Sequence, residues 1–155
     1  MNICGRISIS MEGYCINRYH SFKSCLNDFS KAKDRQDYKE DSFVLSGIIA
    51  KFCLTFDLSW KLMKDIIVDY YAIRDFTLGS PRESLKMAFK VKLIEDDAIW
   101  FEVLKLRNQL AHDYNSELAY KVCDKVISVY IDFFLKFEER VDQLMIEIKK
   151  EFNVL

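Results

Sequence analysis

The chemistry-bearing residues of this chain are crowded into one octapeptide, "RNQLAHDY", residues 107 to 114. Arg107 carries a permanently charged fork that matches phosphate oxygens. His112 is one of only two histidines, and its side chain titrates close enough to neutrality to give or take a proton. Asn108 stands four residues before His112, where it can orient the imidazole or bind an oxygen. Asp113 and Tyr114 complete the set. The other histidine, His20, lies far off near the start of the chain and has no evident partner.

Geometry limits what these residues can do together. On a regular helix each residue turns about 100°, so Asn108 and His112 lie nearly above one another, whereas Arg107 and His112 stand about 140° apart. They converge on one small ligand only if the helix loosens near His112 or if a second chain completes the site. A plainer reading also exists. A histidine in the last helical turn is favoured by the macrodipole, and an arginine with an aspartate is an ordinary pair.

The elements that position the octapeptide read as helices. Half of the 155 residues are hydrophobic and 14% are aromatic, with four glycines and one proline. That is enough apolar surface for one core, and too little turn chemistry for a many-stranded fold. Phe22, Leu26 and Phe29 mark a first helix over about 17–33. The polar run "KAKDRQDYKED" reads as a solvated connection. Asp41 or Ser42 can cap a long helix to about Tyr71, whose stripe of Leu45, Ile48, Ile49, Phe52, Phe56, Trp60, Met63 and Ile67 predicts the central rod. Ser80-Pro81-Arg82-Glu83 is a capping-box start for a third helix to about Lys92. A fourth begins near Glu95 to Asp97 and points Ile99, Val103, Leu106 and Leu110 inward. A fifth runs from about Ser116 to about Phe152. The expected fold is all-α, a four- to five-helix up-and-down bundle over residues 17–155, preceded by a loose leader over 1–16.

Other classes are disfavoured. The longest apolar run is interrupted by Asp57, Lys61, Lys64 and Asp65, short of the uncharged stretch of about 18 residues that a membrane span needs. The start lacks the pattern of a signal peptide, which points to the cytoplasm. Five widely spaced cysteines without a C-x-x-C pair suggest neither a disulfide framework nor a zinc site, and no metal is expected. A formal net charge of −1 argues against wholesale capture of nucleic acid. Arg82, Lys86 and Lys90 nevertheless make one basic ridge at four-residue steps, able to follow a phosphate backbone or to serve as a plain solvated face. Gly79-Ser80 is not followed by the strand-borne carboxylate pair of a nucleotidyltransferase, and no P-loop or catalytic serine or cysteine motif occurs.

The segments "FDLSWKLMKDII" and "GSPRESLKMAFKVKLIEDDAIWFEVLKLRNQLAHDYNSELAYKV" resemble the nucleotidyltransferase substrate-binding proteins, a helical-bundle branch of the HEPN superfamily that includes HepT-type toxins. The most specific piece is R-x4-H-x-Y, met by Arg107, His112 and Tyr114. The F-x-x-x-W-K helix, the S-P-R-E start and Glu117 support it, over roughly residues 18–140. The resemblance implies a HEPN-like homodimer that either cleaves RNA without a metal or serves as the non-catalytic subunit beside a small nucleotidyltransferase. In the toxin branch the partner transfers AMP from ATP to the motif tyrosine. Those roles would fall on Arg107, Asn108 and His112 for cleavage and on Tyr114 as AMP acceptor, with no resident cofactor. Metal-free RNA cleavage requires a base, an acid and positive charge at the phosphate. Because one chain supplies one motif histidine, the chemistry itself asks for two chains placed face to face.

Overall fold

The computed structural model describes residues 15–153, so the leader expected over 1–16 lies almost wholly outside the described residues, as does Cys4. Five helical rods follow. The first, α1 (Ile16–Ser30), buries Phe22, Leu26 and Phe29 completely. The connection then departs from a plain solvated run, for it winds into 3-10 turns over Lys31–Asp34 and Asp37–Lys39. Tyr38 is buried there, and its hydroxyl donates to the Asp124 carboxylate at 2.5 Å. An aromatic ring inside a polar run is drawn inward because its apolar area outweighs its neighbours' preference for water.

The central rod is α2 (Ser42–Asp69). The Asp41 carboxylate caps it by accepting from the Phe43 amide at 2.9 Å. Leu45, Ile48, Ile49, Phe52, Phe56, Met63 and Ile67 are buried as their spacing predicts, and Leu62 and Ile66 join them. Trp60 is the exception. It is only partly buried, with the ammonium groups of Lys61 and Lys64 within 6 Å of its ring. By length and composition α2 is also apolar enough to cross a membrane, with an 18-residue window of mean hydropathy 1.5. That window still carries Lys51 and Asp57, so it is not an uncharged stretch. In the folded chain α2 packs against α1 and against the three helices that follow.

Those helices are α3 (Pro81–Lys90), α4 (Asp97–His112) and α5 (Ser116–Lys125), the last running through a π-helical turn at Val126–Tyr130 into α6 (Ile131–Asn153) as one rod. Each N-terminus has a side-chain cap. Ser80 and Glu83 form the reciprocal capping box, with the Glu83 carboxylate accepting from the Ser80 amide at 2.8 Å. Asp96 accepts from Ala98 at 3.0 Å and Asn115 from Leu118 at 2.8 Å. Lys92, with φ of 61°, turns the chain away after α3. Among the described residues there is no strand.

The inward face of α4 is rotated from its expected position. Trp100, Val103, Leu104 and Leu110 are buried, whereas Ile99 and Leu106 are only partly so. Trp100 decides the rotation. It has the largest apolar area on the helix, and it lies among Phe56, Phe133, Phe134 and Phe137, with ring centroids 4.7 to 6.4 Å away.

Candidate functional site

The octapeptide closes α4. The helix keeps its regular pattern to the end, for the Asp113 amide donates to the Gln109 carbonyl at 2.8 Å. There is thus no local loosening at His112, and Arg107 and His112 stay on different faces of α4.

Arg107 turns toward α2. Its Nε and Nη2 donate to the two carboxylate oxygens of Asp57 at 3.1 and 2.9 Å, a fork-to-fork ion pair between partly buried side chains. The Asp57 hydrogen bonds raise the guanidinium's pKa further above its usual range, against the opposing pull of partial burial. One turn earlier on α2, burial pushes the Cys53 thiol up, and the Arg107 charge acts in the opposite sense. The motif arginine is therefore engaged within its own chain.

The other face of α4 presents Lys105, Asn108, Gln109 and His112 to a cleft of about 870 Å³. Its walls are the N-terminal turns of α3 and α5, including Ser80, Arg82, Asn115 and Glu117. The Arg82 guanidinium lies 5.3 Å from the centroid of the Phe101 ring, which holds a flexible cation in place. Lys121 bonds Glu117 at 2.7 Å, and that bond holds the Glu117 carboxyl below its usual range. Arg82 and Lys105 have no carboxylate within ion-pair distance among the described residues. The lining sets three cations, Arg82, Lys105 and Lys121, against two carboxylates, Asp113 and Glu117, and that surplus, with the amide side chains and the starts of two helices, suits the cleft to an anion such as a phosphate. Among the described residues no three His, Cys, Asp or Glu side chains gather as a cation-binding set.

The cleft brings Arg82, Asn108 and His112 together and leaves Arg107 out. Tyr114 sits in the α4–α5 linker, half-exposed and outside the lining. Lys86 and Lys90 are exposed on α3 and do not reach the cleft, so the expected basic ridge contributes only its first member. From the sequence Asp57 stood only as a charge that interrupts an apolar run, and Lys105, Gln109 and Lys121 had no assigned role. Two signals were there to find. Lys105, Asn108, Gln109 and His112 fall at steps of three, four and seven, one polar helical stripe. Asp57 is a carboxylate inside the most apolar helix, a position that requires a partner.

Residues 17–143 match the family model described as "Nucleotidyltransferase substrate binding protein like". No curated protein matches the chain.

Proposed function

This chain belongs to the nucleotidyltransferase substrate-binding family, and from that premise we propose that it is the non-catalytic subunit that holds a phosphate-bearing ligand for a small nucleotidyltransferase. The observation that carries this reading is the Arg107–Asp57 pair. It ties the motif guanidinium to α2, so the His112 cleft draws its positive charge from Arg82, Lys105 and Lys121 beside the amides, and not from the motif arginine. Such a cleft can bind and orient an anion. Arg82, braced on Phe101, and Lys105 neutralise phosphate oxygens, Asn108 and Gln109 supply directional hydrogen bonds, and His112 contacts the ligand. No resident cofactor is required, since the ligand, a nucleotide such as ATP, is held here as the partner enzyme's substrate. The cytoplasm, which holds that ATP, is the compartment that fits.

Titration calorimetry with ATP, carried out with the partner absent, tests this. Binding should weaken roughly tenfold in Lys105→Ala and in His112→Ala, the size of one good charge-assisted contact. It should persist in Arg107→Ala. Loss of binding in Arg107→Ala alone would overturn the assignment of the cleft.

A second reading is favoured by one observation, the exposure of the Tyr114 phenol two residues after His112. In this reading the chain is a HepT-like, metal-independent RNase. Arg107, Asn108 and His112 act across two copies, and the partner silences the pair. The Tyr114 oxygen attacks the α-phosphorus of ATP, its O–P bond replaces the bond to pyrophosphate, and the phenolic proton leaves. Incubation with ATP and the partner should then raise the intact mass by one or more AMP groups in the wild type but not in Tyr114→Phe. RNA should be cut by the wild type and spared by His112→Ala. RNA left intact by the wild type returns the choice to the binding subunit.

A further inference from the structure

The rotation of α4 that buries Trp100 leaves Ile99 only half-covered, and both residues border a pocket of about 380 Å³ between the start of α4 and α6. None of its lining residues belongs to the His112 cleft. The apolar part of the lining is mostly aromatic. Trp100 and Phe137 are buried against the core, whereas Phe133 is only partly covered. The Phe133 and Phe137 rings lie 4.7 and 5.2 Å from the Trp100 ring and are inclined to it by 58° and 82°. Rings set at such angles leave ring faces and edges for a further ring to pack on.

Trp100 adds the observation that points to a ligand. It is 2% exposed, and a tryptophan buried that deeply ordinarily places its indole N–H on an acceptor. Here the N–H donates to no group among the described residues. Nor is it sealed in, since the Ser84 hydroxyl is the one fully enclosed side-chain polar atom among them that lacks a partner. The open space that Trp100 borders is this pocket, and the N–H opens onto it.

The rim speaks against an ionic ligand. Lys136 and Arg140 are balanced by Glu95 and Glu139, and Asp96 engages its carboxylate with the Ala98 amide as the cap of α4. Balanced charges give little net field to attract an ion. An apolar, aromatic lining with one convergent donor is instead the usual makeup of a site for a small ring system.

We propose that this pocket binds a small neutral heteroaromatic molecule, about two fused rings in size, whose ring nitrogen or carbonyl oxygen accepts from the Trp100 indole N–H. Its ring packs on Phe133 and Phe137 and bridges α6 to the first turn of α4. The site lies at the opposite end of α4 from the octapeptide, and it requires nothing of the His112 cleft.

The chain has two tryptophans, so Trp60→Phe leaves the Trp100 indole N–H as the single signal of its kind in a proton–nitrogen correlation spectrum. Titration with isoquinoline at mildly alkaline pH, where it is neutral, should move that signal downfield and saturate in the millimolar range of a fragment. Indole is of similar size but offers a donor in place of an acceptor, and it should bind roughly tenfold more weakly. Ile99→Trp fills the pocket from a half-covered position and should abolish the shift, whereas His112→Ala should leave it unchanged. Trp100→Phe keeps a ring and removes the donor. Followed by the backbone amides of α6, it should bind isoquinoline no better than the wild type binds indole. Dispersed amide signals would show that both pocket variants are folded, and Ile99→Trp decides the matter if Trp100→Phe is not. A Trp100 signal indifferent to isoquinoline, equal affinity for indole, or a shift that survives Ile99→Trp overturns the proposal. Tighter binding of naphthalene-2-sulfonate than of isoquinoline overturns it as well, by making the site one for anions.

Discussion

At Trp100 and at His112 the same helix, twelve residues apart in sequence, meets opposite environments. Trp100 is 2% exposed and enclosed by four phenylalanine rings from α2 and α6. His112 is exposed at the end of α4, beside a polar cleft walled by two helix starts. The first end fixes where α4 sits, and the second uses that fixed position to present Lys105, Asn108, Gln109 and His112 together. Arg107 lies between them and belongs to neither, since its fork bonds to Asp57 and joins α4 to α2. Stability and the proposed ligand recognition thus fall at opposite ends of one helix, and substitutions should separate them.

The largest effect is expected at the buried end. Trp100→Ala removes the ring at the centre of the aromatic cluster and should cost about 3–5 kcal/mol, read as a fall in Tm on the order of 10 °C. A loss under about 1 kcal/mol would mean that the cluster does not anchor α4. Next comes the hinge between the two ends. Asp57→Ala leaves a partly buried guanidinium without its acceptor and should cost about 1–3 kcal/mol, while the Asp57→Ala/Arg107→Ala pair should cost less than the sum of the singles. Strict additivity in denaturant unfolding would show that the pair adds nothing beyond its separate side chains.

At the exposed end the expectation reverses. Lys105→Ala should leave stability within about 0.5 kcal/mol while weakening ATP binding, so equal losses in both measurements would erase the distinction. The smallest effect is one of pH. Glu102 accepts from Lys125 and from the buried Tyr130 hydroxyl, and those bonds hold its carboxyl below the usual glutamate range. A depressed folded-state pKa contributes stability above the unfolded value, near 4.5, and that contribution is lost as pH falls through the folded value. Thermal unfolding of Glu102→Gln should therefore show a shallower loss of stability than the wild type below about pH 4.5, and a matching slope would remove Glu102 from the acid response.

Local signals made much of the fold legible. The Ser80 capping box and the Asp41 cap depend on residues within three positions of each other, so sequence spacing nearly specifies the bond. The stripes of α1 and α2 were likewise plain because helical period alone decides which side chains share a face. On α4 the period allowed two neighbouring faces, and the choice of Trp100 over Ile99 depended on aromatic partners from distant segments. Tyr38 was hidden for a similar reason, since the acceptor that fixes it, Asp124, is 86 residues away. At the site, the placement of Asn108 with His112 followed from the helix wheel, whereas the roles of Lys105, Lys121 and Asp57 depend on neighbours from other helices.

By itself the sequence determined the helices, most of their caps, and the separation of Arg107 from His112 on α4, because all of these rest on bonds and angles between near neighbours. Only the tertiary structure decided what each of the two residues faces. Asp57 captures Arg107 from a helix fifty residues away, and the starts of α3 and α5 close around His112. Neither partner can be read from local spacing, because burial of Trp100 and its ring neighbours sets the packing that brings distant charges within reach.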